Sequence, residues 1–263
     1  MTIRNRLADA EDIVVKVGTK VLIGANGSVA NEVLHRLVES IARLRLRGCR
    51  VVLVSSGAVG IGASALGVSH ELISVCAAAG QSVLTSLYQQ AFREHDIHVA
   101  QILVTAGDFA TPPGSRKLTQ TLRHLLDAGA LPILNENDAI SGSQIEDGSA
   151  RAFSENDMLA SLIARELHAD LLVFLTDVDG VYDLHPEDPE AALISELQGE
   201  YVEADAESRN GRGGVRAKVK AAIHATRERH TVAVIANGRT PDVLERILSG
   251  DQIGTLVASM EVK

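Results

Sequence analysis

Apolar, β-branched runs alternate along this chain with stretches of helical period, and that alternation confines the fold to βαβ units built around a mainly parallel sheet. The predicted strands cover residues 12–17, 50–55, 98–104, 131–135, 170–176, 231–236 and 254–258. Between the first two, Leu34, Leu37, Val38, Ile41 and Leu44 keep the spacing of one buried helical face, and Gly48 closes that helix. Further helices are predicted near 70–94, 115–129, 155–168, 214–228 and 241–249. With 263 residues, 46% of them hydrophobic, the chain can bury a large core as one α/β domain or two closely joined lobes. No repeat and no Pro-, Gly- or Ser-rich linker divides it. The longest irregular stretches, 105–114, 139–153 and 183–212, follow predicted strand ends or precede a glycine segment. Ligands of open α/β sheets gather at the carboxyl ends of strands, so these stretches are candidate site walls.

A formal net charge of −9, with no Trp, three Tyr and four Phe, does not suit a protein that holds nucleic acid by charge and base stacking. Cys49 and Cys76 form no CxxC pair and no disulfide framework, which fits a reducing cytosol. The first residues carry Arg4, Arg6, Asp9, Glu11 and Asp12 instead of the apolar core of a signal peptide, and no apolar run approaches the roughly 18 residues of a membrane span. A soluble, cytoplasmic protein with no membrane partner is expected. HExxH, GxxxxGK[ST] and GxSxG are all absent. Asp177, Asp179 and Asp183 resemble a calcium loop, but Tyr182 occupies the position that needs Gly. No dedicated metal site is expected, and His95 and His98 read as surface residues.

Residues 211–218 run G-R-G-G-V-R-A-K, with Gly211, Arg212, Gly213, Gly214 and Arg216 leading to Lys218 and an alanine-rich helix. Glycines let backbone N–H groups approach an anion, a helix start adds its positive dipole end, and a lysine supplies a point charge for a moving phosphoryl group. Lys16 is in a similar setting, ending Ile13-Val14-Val15 and followed by Gly18, Thr19 and Lys20. The two lysines suggest a clamp. After the strand at 50–55, Ser55-Ser56-Gly57-Ala58 either holds a carboxylate or phosphate or is a tight turn feeding a helix. Gly60-x-Gly62-x-x-Ala65 also fits the dinucleotide fingerprint, but it starts well past the strand and no acid follows at the required distance. Asn135-Glu136-Asn137-Asp138 follows the apolar strand Leu131–Leu134 and is either a polar pocket for a small zwitterion or an Asx-type turn. In Ser154-Glu155-Asn156-Asp157, Asp157 completes a capping box and is also a carboxylate placed to orient one or both lysines. The buried strand Leu171–Thr176 ends in Asp177 and Asp179, as a nucleotide-facing strand would.

The ordered set IVVKVGTKVL, VVLVSSGAVGIG, LPILNENDAIS, SENDMLASLIA, LLVFLTDVDGVY, GRGGVRAKVKAA and IGTLV resembles the amino acid kinase family across residues 12–258. NENDA and SSGAVG resemble its branch acting on free glutamate. The resemblance implies a three-layer α/β/α sandwich with an open, mainly parallel sheet, the acceptor held by about residues 1–169 and ATP by about 170–263. It implies transfer from ATP to the side-chain carboxylate of L-glutamate, giving L-glutamyl 5-phosphate at the entry to proline synthesis, with proline as feedback inhibitor. Lys16 and Lys218 would flank the phosphoryl group and Asp157 would hold them. Ser56, Gly57, Asn135, Asp138 and Asn156 would bind glutamate. Lys16, Thr176, Asp177, Gly211, Arg212, Gly213, Gly214 and Lys218 would bind ATP, with Mg2+ on its phosphates. Val215 stands where that branch usually has Met. The RNA-modification-type (PUA) domain that many bacterial members append is expected to be absent, and a homo-oligomer, dimer or tetramer, is expected. Related members acting on aspartate, N-acetylglutamate, carbamate or uridylate, a nicotinamide-dependent oxidoreductase and a non-catalytic amino-acid sensor are the alternatives.

Overall fold

Strand β1 (Asp12–Val17) is the hub of an eight-stranded sheet, paired in parallel with β2 (Arg50–Ser55) on one side and β5 (Leu171–Thr176) on the other. The computed structural model describes residues 2–24, 27–141, 156–186, 188–198, 213–227 and 230–259. The remaining strands are β3 (Val99–Val104), β4 (Leu131–Glu136), β6 (Glu196–Gln198), β7 (Val232–Asn237) and β8 (Thr255–Ala258), in the order β3-β4-β2-β1-β5-β7-β8-β6. Pairing is parallel except between β7 and β8. The chain leaves β1 towards β2 and later returns to β5 on its other side, which makes the carboxyl end of β1 a topological switch point.

Strand side chains alternate between the two sheet faces, and each face has its own core. Ile13, Val15 and Val17 pack with α3 (Asn31–Leu46), α5 (Ile73–Arg93) and α10 (Val243–Leu248) through residues such as Leu37, Tyr88 and Leu244. Val14 packs on the opposite face with α7 (Pro112–Asp127), α8 (Asn156–Leu167) and α9 (Gly213–Thr226), through Leu122, Leu159 and Val219. The result is the three-layer α/β/α sandwich. Lys16 shares the parity of Val14, so its ammonium group emerges beneath α8 and α9.

The remaining described elements are the short helices α1 (Ile3–Arg6), α2 (Thr19–Leu22), α4 (Ala58–Leu66) and α6 (Ala106–Ala110) and a 3-10 turn at Leu7–Asp9. Arg4 of α1 donates to the carbonyls of Ser195, Asp251, Ile253 and Gly254, tying the amino-terminal arm to the β8 edge.

Two predicted irregular stretches contain regular structure. Within 105–114, Thr105 and Asp108 form a reciprocal capping box that starts α6, and Pro112 opens α7, where its missing N–H costs nothing. Within 183–212, the three-residue β6 pairs with β8. The second of the dinucleotide-like glycines, Gly62, is a packing residue of α4. A Cβ on Gly62 would lie 1.8 Å from the Cys76 carbonyl oxygen, so this glycine lets α4 and α5 touch backbone to backbone. That geometry removes the sequence support for a nicotinamide site.

Candidate active site

The period of β1 aims Lys16 under the first turn of α8, where Asp157 stands. Lys16 Nζ lies 2.6 Å from Asp157 Oδ1, and Lys218 Nζ, from α9, lies 3.2 Å from Oδ2. All three residues are at least nine-tenths buried. Two cations from distant parts of the chain thus share one carboxylate, and the three side chains sum formally to one positive charge. A carboxylate in the first turn of a helix is also favoured by the helix dipole, which helps to fix Asp157 between the lysines.

Around this triad lies a neutral polar cluster at the carboxyl ends of β2 and β4. Asn156 Nδ2 donates to Ser56 Oγ at 3.1 Å and to Asn135 Oδ1 at 2.9 Å. The Glu136 backbone N–H donates to Asn156 Oδ1, and Asn135 Nδ2 donates to Gln81 Oε1 at 2.7 Å. Gly57 adopts φ +117, a left-handed conformation open to glycine, and so turns the chain from β2 into α4. Ser55–Ala58 is therefore a tight turn feeding α4, and it places the Ser56 hydroxyl against Asn156. Beside the cluster, burial and the neighbouring Asp138 push the Glu136 carboxyl up to about 7, against the opposing hydrogen bond from Ser141. Burial also raises Asp138.

On the other side of β1 the end of β5 leads into Asp177 and Asp179. Buried Thr176 ends β5, and its hydroxyl is 3.3 Å from Asp177 Oδ1. Lys20 Nζ approaches Asp177 Oδ2 at 3.8 Å from an exposed position. Asn237 donates to Asp179 at 2.9 Å and Tyr182 donates to it at 3.2 Å. Gly213 and Gly214 begin α9, while Gly211, Arg212 and Ser154, the residue expected to cap α8, lie outside the described residues, as does most of 139–153. No group of three or more His, Cys, Asp or Glu that could hold a metal occurs among the described residues.

The structure thus brings Lys16, Asp157 and Lys218 together, and separately joins Ser56, Asn135 and Asn156. Asp138 lies close enough to Glu136 to raise its pKa. Sequence reasoning missed Gln81, which carries no motif, and Asn237, whose strand end gave no polar run.

This arrangement is that of a phosphotransferase fold, and the amino acid kinase family model matches residues 12–237. The chain belongs to that family. Among individual proteins it is similar to the glutamate 5-kinase of Listeria monocytogenes serotype 4b, 35% identical over 267 residues that cover 97% of this chain and 96% of that protein. It is similar also to Delta-1-pyrroline-5-carboxylate synthase 2 of Oryza sativa subsp. japonica, 40% identical over 273 residues, 96% of this chain. The chain spans 37% of the length of that plant protein. A solved carbamate kinase from Giardia lamblia bound to AMP-PNP shares the fold, with a TM-score of 0.70 at 19% identity, covering 96% of this chain and all of that one. No helix among the described residues is long and apolar enough to cross a membrane.

Proposed function

We propose that this protein transfers the γ-phosphoryl group of ATP to the side-chain carboxylate of L-glutamate, giving L-glutamyl 5-phosphate and ADP as the first step of proline synthesis. The observation that supports this most is the buried Lys16–Asp157–Lys218 triad beside the amide cluster, in a chain similar end to end to a protein named glutamate 5-kinase.

A carboxylate oxygen attacks phosphorus as the bond to the ADP oxygen breaks. The acceptor is already ionised at neutral pH, so no general base is needed. The main obstacle is bringing anion to anion, and catalysis consists of positioning and neutralisation. A lysine about 4 Å from the transferred group gains about 1 kcal/mol in water and about 4 kcal/mol at the effective dielectric of a closed cleft. Lys16 and Lys218 supply that charge, and Asp157 keeps them from drifting to solvent. Ser56, Gly57, Asn135, Asp138 and Asn156 take the glutamate. Thr176, Asp177 and the segment Gly211–Lys218 take the nucleotide. Both oxygens of Asp157 face lysines, so magnesium would come bound to ATP and supply neutralisation of phosphate charge.

The same reading divides the chain into an acceptor half, about 1–169, and a nucleotide half, about 170–263. It also carries a cytoplasmic setting, proline as feedback inhibitor and a homo-oligomer. Exposed apolar side chains on α4 and α5, among them Leu66, Val75 and Val83, support the last of these.

The test is a coupled ADP-release assay against a panel of carboxylic acids, with hydroxylamine to trap an acyl phosphate and with L-proline as an added arm. Hydroxamate formed with L-glutamate, and not with aspartate or N-acetylglutamate, is the expected result. ADP release that ignores glutamate would overturn the reading.

A further inference from the structure

We infer that Gln81 is a positioning residue that, through a one-way chain of hydrogen bonds, makes the Ser56 hydroxyl a donor towards the acceptor carboxylate, an inference that rests on the kinase reading above. Each end of the chain is a backbone group whose role is fixed. At one end the Glu136 N–H, which can only donate, meets Asn156 Oδ1 at 3.1 Å. The Asn156 amide must then turn its NH2 to Asn135 Oδ1 at 2.9 Å and to Ser56 Oγ at 3.1 Å. Asn135, accepting through its oxygen, turns its own NH2 to Gln81 Oε1 at 2.7 Å. The Gln81 NH2 reaches Thr85 Oγ1 at 3.4 Å, and the Thr85 hydroxyl donates to the Gln81 carbonyl at 2.9 Å, a group that can only accept.

Reversing any one amide would set two donors or two acceptors against each other, so its neighbours hold each orientation. The consequence falls on Ser56. Its oxygen accepts from Asn156, which leaves the hydroxyl proton for another partner. A carboxylate offers only acceptors, and a hydroxyl serves it only as a donor. Gly80 makes the reach possible. A Cβ there would lie 1.9 Å from the Ala58 carbonyl oxygen, so the bare backbone lets α5 seat Gln81 next to the turn that carries Ser56.

Gln81→Met keeps the length of the side chain and removes its polar atoms, so Asn135 keeps only the bond from Asn156 and loses one of the two partners that hold its orientation. In the glutamate-dependent ADP-release assay we expect KM for L-glutamate to rise roughly tenfold, with kcat and KM for ATP within about twofold of wild type. In a Ser56→Ala background the same substitution is expected to change KM by less than about threefold, because the group it orients is gone. Thr85→Val, which removes the outer hydroxyl, is expected to give a smaller rise of the same kind and decides the matter if the Gln81 variant does not fold. An active wild type, with equal factors in the two backgrounds or with the two KM values rising together, would overturn the role of Gln81 alone. A wild type without glutamate-dependent ADP release would instead overturn the kinase reading.

Discussion

The two ends of the β1–β2 pair carry charge in opposite ways. At the amino end, Asp12 and Arg50 face each other in register and form a two-point ion pair with Arg50 about half exposed. At the carboxyl end, Lys16 meets Asp157 and Lys218 with almost no access to solvent. The first pair is balanced and screened by solvent. The second gathers two cations on one anion in a low-dielectric setting, an arrangement that costs desolvation and is hard to explain by stability alone. Under the proposed function that arrangement has a purpose, since two cations held out of water suit an anionic phosphoryl group.

The largest effect that would sharpen this contrast belongs to Asp157. Asp157→Asn leaves two buried ammonium groups facing a neutral amide, and removal of one partner from a buried ion pair typically costs about 3–5 kcal/mol. Urea unfolding should show that loss. A variant as stable as wild type would mean that the lysines do not depend on this carboxylate.

The next effect lies at the carboxyl end of β4 and depends on pH. Glu136 rises from its ordinary 4.5 to about 7 in the folded protein. The native state therefore binds more protons than the unfolded chain between those values, so stability falls as pH rises through that window. Asp138, shifted in the same direction, adds to the fall. Glu136→Gln should flatten the decline in melting temperature between pH 5 and pH 8 without abolishing it, and parallel curves for the two proteins would contradict the burial argument.

The smallest effect is at the other end of β1. Arg50→Ala should lower stability by less than about 1 kcal/mol and leave turnover unchanged, as for other exposed pairs. A larger loss would erase the distinction between the two ends.

Much of this contrast was legible in the sequence, for identifiable reasons. A long apolar strand that ends in a lysine, and a glycine segment that runs into a lysine-bearing helix, state their chemistry locally. The parity of Lys16 with Val14 even fixes which helices it meets. Gln81 and Thr85 gave no such signal, because their role depends on how closely Gly62 and Gly80 bring α4 to α5, a tertiary fact. The strand β6 was missed for a similar reason. Three residues carry too little period to read, and their pairing is decided by β8. The dinucleotide-like spacing, already set aside on the sequence, shows that glycines serve helix contact as readily as phosphate approach.

The most direct test of the central claim is to measure turnover and melting of Lys16→Met and Lys218→Met at saturating ATP and glutamate. Each substitution leaves Asp157 facing a single lysine, so melting should be close to that of wild type while kcat falls at least on the order of a hundredfold. Near-normal kcat in either variant would remove that lysine from the reaction, and a loss of activity that only tracks a loss of folding would reduce the triad to a structural feature.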